Sequence, residues 1–149
     1  MTKEDNRFIA YLVLGIVVVI GVIFWGVRQD NEISFCRRTL SGLIKGDVSV
    51  EKSLDWFSFK AIGNDIGAEY SKLPNENERA YFRKAFILNL ALAFKNAGGR
   101  FNAFTNWRLA DKDSQKTVVA ADCLGNKTLL FSVVKISGKR KLVALQWKG

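Results

Sequence analysis

An uncharged stretch near the N-terminus, residues 8–27, constrains the chain more than any other feature. It reads FIAYLVLGIVVVIGVIFWGV and contains 20 residues, which as a helix span about 30 Å, the thickness of a bilayer's hydrocarbon core. Arg7 and Arg28 close its two ends, as interfacial anchors do. The stretch therefore predicts a transmembrane helix over 8–27 after a short polar tail over 1–7. A cleaved secretion signal is the alternative, but no small-x-small site follows the stretch.

The positive charges on the two sides of the predicted span nearly balance. Lys3, Arg7 and the amino terminus precede it, and the basic residues after it are Arg28, Arg37, Arg38 and Lys45. A single uncleaved N-terminal span usually works as a signal anchor. We therefore expect a single-pass protein of the inner (cytoplasmic) membrane whose domain, residues 28–149, is extracytoplasmic. The alternative is a cytoplasmic domain that faces anionic lipid, because this domain carries the whole net charge of +9.

Composition limits the chemistry that the chain can perform. A chain of 149 residues has room for one ordinary domain. It contains no histidine, which removes the commonest general base and the commonest ligand of transition metals. We therefore predict no catalytic residue, no metal site and no cofactor.

The first half of the domain has helical periodicity. One apolar stripe predicts a helix that ends at Gly46, and it consists of Ile33, Cys36, Leu40, Leu43 and Ile44. Residues 49–73 predict two short helices or one bent helix. Asn75 and Glu78 then form a capping-box pattern that starts a long helix, which runs to the glycine pair at 98–99. The second half of this long helix is apolar almost all round, so we expect it to be covered on more than one side.

The second half of the domain has the alternating pattern of strands. RFNAFTNWRL, KTVVAADC, KTLLFSVVKI and RKLVALQWK are separated by short polar or glycine-containing turns. They predict an antiparallel meander of four strands. The predicted fold class is α+β: an N-terminal transmembrane helix followed by a cone-like domain of about three helices packed on a four-stranded antiparallel sheet.

The segment from Ile66 to Phe86 resembles the middle of the MlaC-type lipid-binding auxiliary family. It contains IGAEY, then Leu73-Pro74, then Glu78-Arg79 and Tyr81-Phe82, in the arrangement that this family uses between its second and third helices. The order of elements is similar to the nuclear-transport-factor-two-like cone fold. The resemblance implies an extracytoplasmic cone whose apolar cavity takes up acyl chains. A retained membrane span and the end of the chain soon after Trp147 depart from the family.

Aromatic residues at helical spacing beside a sheet are typical of an interior, and this is the expected role of Tyr70, Tyr81, Phe82 and Phe86. If the cone holds a ligand instead, we expect the following residues to bind it: Tyr70, Phe82, Phe86, Phe101, Trp107 and Trp147. Gly63 and Gly67 lie four residues apart on a predicted helix, which favours close packing of another element.

Three further residues are candidates for chemistry. Asp122 shares a strand face with Val118 and Ala120, so inside a cone its pKa would rise and it could act as a general base. Its place next to a turn favours a solvated or capping role. Cys36 and Cys123 are the only thiols. They form either a disulfide, if the first helix lies on the second strand, or two buried thiols.

A short basic run, Lys139, Arg140 and Lys141, occupies the last predicted turn. No nucleic-acid-binding motif accompanies it, so a contact with anionic lipid or an acidic partner is favoured over nucleic acid. The sequence thus predicts an accessory or assembly subunit that docks on a larger membrane or envelope complex, as do the inner-membrane assembly subunits of type IV secretion machines that anchored cones also resemble. The alternative is an anchored lipid or apolar-ligand binding protein.

Overall fold

The computed structural model describes the backbone of residues 3–149 and the side chains of residues 11, 13–24 and 31–149. The chain divides into two compact units, Met1–Asn31 and Glu32–Gly149. The side chains of the predicted anchors Arg7 and Arg28 lie outside the described residues, as do those of the predicted polar tail, 1–7. The fold is α+β.

The predicted transmembrane helix over 8–27 is wrong. Within the described residues, none of the helices combines the length and the apolar character that crossing a membrane requires. The uncharged stretch is not an element of its own, because it belongs to helix α1, Lys3–Lys45. This helix begins among charged residues, and it also contains the predicted first helix of the domain.

The stripe predicted on that first helix is confirmed. Cys36, Leu40 and Leu43 lie in the C-terminal part of α1, and all three are fully buried in the core of the second unit. The helix ends where the sequence indicates, because Gly46 has a φ of +70°, a left-handed conformation that glycine adopts without strain.

The helices predicted over 49–73 are present only in part. A short 3₁₀ helix covers Val48–Ser53, two short strands follow as β1, Lys60–Ala61, and β2, Asn64–Asp65, and α2 covers Ile66–Ser71. Lys60 and Ala61 pair in parallel with Ala144 and Leu145 near the C-terminus. This long-range pairing overrides the helical periodicity of the segment.

The two glycines of this region have different roles. Gly63 lies in the turn between β1 and β2 with a φ of +84°, so its predicted place on a helix is wrong. Gly67 lies on α2, and a Cβ there would be 2.3 Å from the backbone oxygen of Phe57. The close approach predicted for Gly67 is therefore confirmed.

The long helix is confirmed at both ends. Helix α3 covers Glu76–Asn96, and the side chain of its N-cap, Asn75, accepts a hydrogen bond from the backbone N–H of Glu78 at 2.9 Å. After its end, the N–H of Gly99 donates to the carbonyl oxygen of Phe94 at 2.7 Å. This bond satisfies a carbonyl that the helix leaves without a partner.

The predicted meander of four strands is confirmed as β3, Thr105–Lys112, β4, Lys116–Cys123, β5, Lys127–Ile136, and β6, Lys139–Lys148. The first of these strands begins later than predicted, because Phe101–Ala103 form a short 3₁₀ helix. The sheet is nevertheless larger than predicted, because β1 and β2 extend it beyond β6. It has six strands in the order β2-β1-β6-β5-β4-β3. The parallel pairing of β1 with β6 makes it mixed rather than antiparallel.

The interior of the second unit is filled by side chains. Trp56 contacts four aromatic rings, with centroids 5.6 Å from Phe86, 5.8 Å from Tyr70, 6.2 Å from Phe59 and 6.4 Å from Phe82. Phe59 and Phe131 are fully buried. The contacts of Trp56 with Phe59, Phe82 and Phe86 are edge-to-face, and such ring contacts stabilise the core beyond the area they bury.

Candidate interaction surface

Helix α3 presents one apolar face to the core of its own unit. Ile87 on this face is fully buried, and its neighbours on the same face pack against the core: Phe82, Phe86, Leu90 and Phe94. This inward face accounts for four of the six large apolar residues in the second half of the helix.

The opposite face of α3 is also apolar, and the second unit does not cover it. It consists of Tyr81, Ala85, Leu88 and Leu92, which we call the α3 stripe. Tyr81 is 76% exposed, Leu88 46% and Leu92 54%. Steps of four, three and four residues place the four side chains in one line. The expected interior position of Tyr81 is therefore wrong. The sequence predicts that α3 is covered on more than one side, but no element of the second unit packs on this outer face.

Two open clefts border the α3 stripe, one near each end. The cleft near the N-terminal end has a volume of 360 Å³ and is lined by Leu73, Asn77, Glu78, Tyr81, Phe82 and Ala85. The cleft near the C-terminal end has a volume of 580 Å³, and its apolar lining includes Ile44, Leu88, Ala91 and Leu92. Gly46 lies against this second cleft, and a Cβ there would be 3.3 Å from that of Ala91.

The charges at the two ends of the stripe are opposite. Glu78 lies in the first turn of α3, and Lys95 lies in the last turn. Lys45 and Arg100 line the C-terminal cleft together with Lys95. Each sign complements the helix dipole at its own end. The surface as a whole is an apolar line with an acidic and a basic end.

A network around Arg83 holds α3 in place from its inner side. The guanidinium donates to Tyr70 Oη at 2.6 Å, to Glu76 Oε1 at 2.8 Å and to Glu51 Oε2 at 3.2 Å. Burial lowers the pKa of Arg83, but the hydrogen bonds to Glu76, Tyr70 and Glu51 outweigh this effect and raise it. The side chain of Arg83 is only 17% exposed, so its charge belongs to the packing of the unit.

The six aromatic residues predicted to bind a ligand fall into two groups. Tyr70, Phe82 and Phe86 belong to the cluster around Trp56. The other three lie towards the sheet, where Phe101 contacts Trp107 at 6.1 Å and Trp147 stacks on Phe104 at 6.4 Å. Of the six, Phe82 also lines the N-terminal cleft. Binding of a ligand by these residues stays a prediction.

Asp122 lies on β4 with its carboxylate hydrogen-bonded on three sides. It accepts from Asn106 Nδ2 at 2.8 Å, from an N–H of Arg108 at 3.0 Å and from Thr128 Oγ1 at 3.0 Å. These bonds, that of Asn106 first, lower the pKa of Asp122, so the rise expected for a cone interior is wrong. A carboxylate with a lowered pKa is a weaker base, which favours a structural role for Asp122 on the sheet.

Both cysteines are free thiols, so the structure does not contain the possible Cys36–Cys123 disulfide. Cys36 is fully buried on α1, and Cys123 is half-buried at the end of β4. Burial, assisted by the nearby charge of Glu32, raises the pKa of the Cys36 thiol. Because the thiolate is the reactive form, Cys36 is an inert core residue.

Two of the three basic residues at the last turn are engaged within the unit. Arg140 Nε donates to Glu32 Oε1 at 2.9 Å, and Lys141 Nζ donates to the carbonyl oxygen of Lys52. Lys139 is exposed. The predicted contact of Lys139, Arg140 and Lys141 with lipid or a partner stays a prediction, but two of these side chains would first have to leave their present hydrogen bonds.

Sequence reasoning missed the α3 stripe as a surface, although its signal was present. The apolar residues of α3 surround the helix, whereas one sheet covers only one side of a helix.

Across the side chains that the structure describes, no group of three or more Asp, Glu, Cys or His is placed to hold a metal ion.

The comparisons with known proteins do not identify a relative. The chain matches no protein-family model, and no curated protein and no solved structure was found to be similar to it. The resemblance to the MlaC-type family and to the cone fold therefore stays a prediction. The α3 stripe, rather than a relative, is the feature from which a function is inferred.

Proposed function

We propose that this protein is an accessory or assembly subunit that docks on a larger membrane or envelope complex through the α3 stripe. One observation carries the proposal: α3 has two opposite apolar faces, and its own unit covers only one of them. Contiguous exposed apolar surface on a folded unit marks a site of interaction with another molecule.

The packing of the interior favours docking over storage of a ligand. An apolar-ligand binding protein keeps a cavity of a few hundred cubic ångströms that buries most of its ligand. Here Trp56, Phe59 and Phe86 fill the space between α3 and the sheet, and the clefts beside the stripe are open to solvent. An open apolar surface suits a protein partner, which brings its own apolar face.

The first unit adds a second apolar surface. From Tyr11 to Phe24, its described large side chains are at least half exposed, and Tyr11 and Phe24 reach 73% and 74%. Exposed apolar surface of this extent supports contact with a partner protein or with lipid. It favours a place at a membrane or envelope complex over a freely diffusing role.

Purification of the full chain in mild detergent, followed by mass spectrometry, tests the proposal. We expect other subunits to co-purify with the native chain. With Leu92→Glu, the amount of each co-purifying subunit should fall about tenfold, because a charge on the stripe must be desolvated in the complex. Asn89→Glu is the matched control: it adds the same charge to the same helix on an exposed position off the stripe.

Co-purifying subunits that are equally abundant for Leu92→Glu and the native chain would contradict docking through the stripe. A bound lipid, with no protein subunit, would favour the alternative of an apolar-ligand binding protein.

A further inference from the structure

The α3 stripe has the same pattern when it is followed from either end. About the point midway between Phe86 and Ile87, Ala85 and Leu88 are equidistant, as are Tyr81 and Leu92. The same point lies midway between Glu78 in the first turn and Lys95 in the last turn. The apolar and the charged positions therefore share one centre.

Such a pattern is self-complementary under a twofold axis. If two copies of α3 lie antiparallel with the axis at this point, residues equidistant from it meet across the contact. Tyr81 then faces Leu92 of the other copy, and the small Ala85 faces the larger Leu88. The steps of four, three and four residues are also those of the a and d seam of two packed helices.

The charges of Glu78 and Lys95 favour an antiparallel over a parallel arrangement of the two α3 helices. In the antiparallel arrangement, Glu78 of each copy meets Lys95 of the other, so opposite charges pair at both ends. In a parallel arrangement Glu78 would meet Glu78 and Lys95 would meet Lys95, which is repulsive. Lys45 and Arg100 line the cleft beside Lys95 and add to the attraction for the acidic end of the second copy.

The clefts fit the same arrangement. Tyr81 is the most exposed member of the stripe, at 76%, and antiparallel packing directs it to the C-terminal cleft of the other copy. That cleft of 580 Å³ is bordered by Gly46, Gly98 and Gly99, none of which places a side chain in it. A projecting ring and a receiving cleft thus occur once in each copy.

We propose that a second copy of this chain occupies the α3 stripe, through an antiparallel contact between two α3 helices. The inference deepens the proposed function, because it identifies the subunit that the stripe contacts within the complex as a second copy of this chain, and it rests on that function only in treating the stripe as a contact surface. From Tyr81 to Leu92 the stripe spans about 16 Å of helix, which is short for an interface. We therefore expect a dimer that dissociates on dilution.

Cysteine cross-linking of the full chain in mild detergent tests the register. Tyr81→Cys and Leu92→Cys chains, incubated together and oxidised, are expected to form a disulfide-linked dimer. Each variant alone should not, because a residue at position 81 or 92 is displaced by about 16 Å along the axis from its own counterpart, well beyond disulfide reach. The native chain controls for Cys36 and Cys123, and Asn89→Cys mixed with Tyr81→Cys controls for random collision.

A mixture that yields no dimer, or single variants that cross-link as strongly as the mixture, would overturn the proposed contact.

A charge exchange separates a second copy from any other partner. Glu78→Lys and Lys95→Glu are each expected to raise the dimer dissociation constant about three- to tenfold in sedimentation experiments, and the double variant should return it to about the native value. Within one helix the two positions are about 25 Å apart, so restoration cannot arise inside one copy. A double variant weaker than both single variants would refute the inference.

The two proposals fail in different ways. If no cross-link forms but Leu92→Glu still loses its co-purifying subunits, the second copy is refuted and docking on another protein is supported. If the cross-link forms and no other subunit co-purifies with the native chain, the dimer is supported and the accessory-subunit proposal is refuted.

Discussion

Single residues in this protein take their properties from neighbours that are distant in the sequence. Asp122 illustrates this, because a nearby turn and an alternating strand pattern left both a catalytic and a structural role open. Asn106 and Arg108 on β3 and Thr128 on β5 supply its hydrogen bonds. Only the pairing of β4 with both neighbours brings these donors to one carboxylate, and they stabilise its charged form.

The lowered pKa of Asp122 predicts a loss of stability in acid. A carboxylate whose pKa is lower in the folded state contributes stability above its unfolded pKa, about 3.9, and loses it as the pH falls through the folded value. We therefore expect Asp122→Asn to be less stable than the native chain at neutral pH. As the pH falls below about 4, its urea midpoint should fall less than that of the native chain.

Asp111→Asn, which replaces an exposed carboxylate on β3, is the control for the loss of one negative charge from the sheet. The prediction is wrong if the urea midpoint of Asp122→Asn falls in acid as steeply as that of the native chain.

At the scale of elements, the start of α3 was predictable because a capping box is a local signal. Asn75 Oδ1 accepts a hydrogen bond from the backbone N–H of Glu78, and Asn75 Nδ2 donates one to Glu78 Oε1, so both partners lie within four residues. The segment between Leu54 and Asp65 was not predictable in the same way. Its helical spacing of apolar residues is real, but the pairing of Lys60 and Ala61 with β6 decides its structure.

Removal of the cap tests how much this local signal contributes. Asn75→Ala should lower the free energy of unfolding by about 1 kcal/mol, because it leaves the N–H of Glu78 without its acceptor. Asn89→Ala on the exposed side of α3 should have no destabilising effect, since alanine has the higher helix propensity. Chemical denaturation followed by circular dichroism measures both, and equal losses for the two variants would contradict a capping role.

At the scale of the whole molecule, one ion pair joins two regions that are far apart in the sequence of the second unit. Glu32 near the start of this unit and Arg140 on β6 are 108 residues apart and form a hydrogen-bonded pair at 2.9 Å. The side chain of Glu32 is 8% exposed, whereas that of Arg140 is 28% exposed. The acid depends on this partner because a buried carboxylate without one is costly.

Arg140→Ala should therefore destabilise the second unit by about 1–3 kcal/mol, since it leaves the carboxylate of Glu32 buried without its donor. The partial exposure of Arg140 places the expected value towards the lower end of this range. Lys139→Ala, one residue earlier and exposed, should change the free energy of unfolding by less than about 0.5 kcal/mol. Thermal or urea unfolding distinguishes them, and similar effects for both variants would show that the pair contributes little.

The sequence by itself determined the features that depend on short-range physics: the stripe on the C-terminal part of α1, the cap and end of α3, and the four strands of the meander. Each arises from a repeat or a cap within a few residues. The tertiary structure decided the rest, which includes the pairing of β1 with β6, the hydrogen bonds of Asp122 and the exposure of the α3 stripe. Burial and pairing depend on which distant residues meet, and a residue pattern along the chain contains that information only in part.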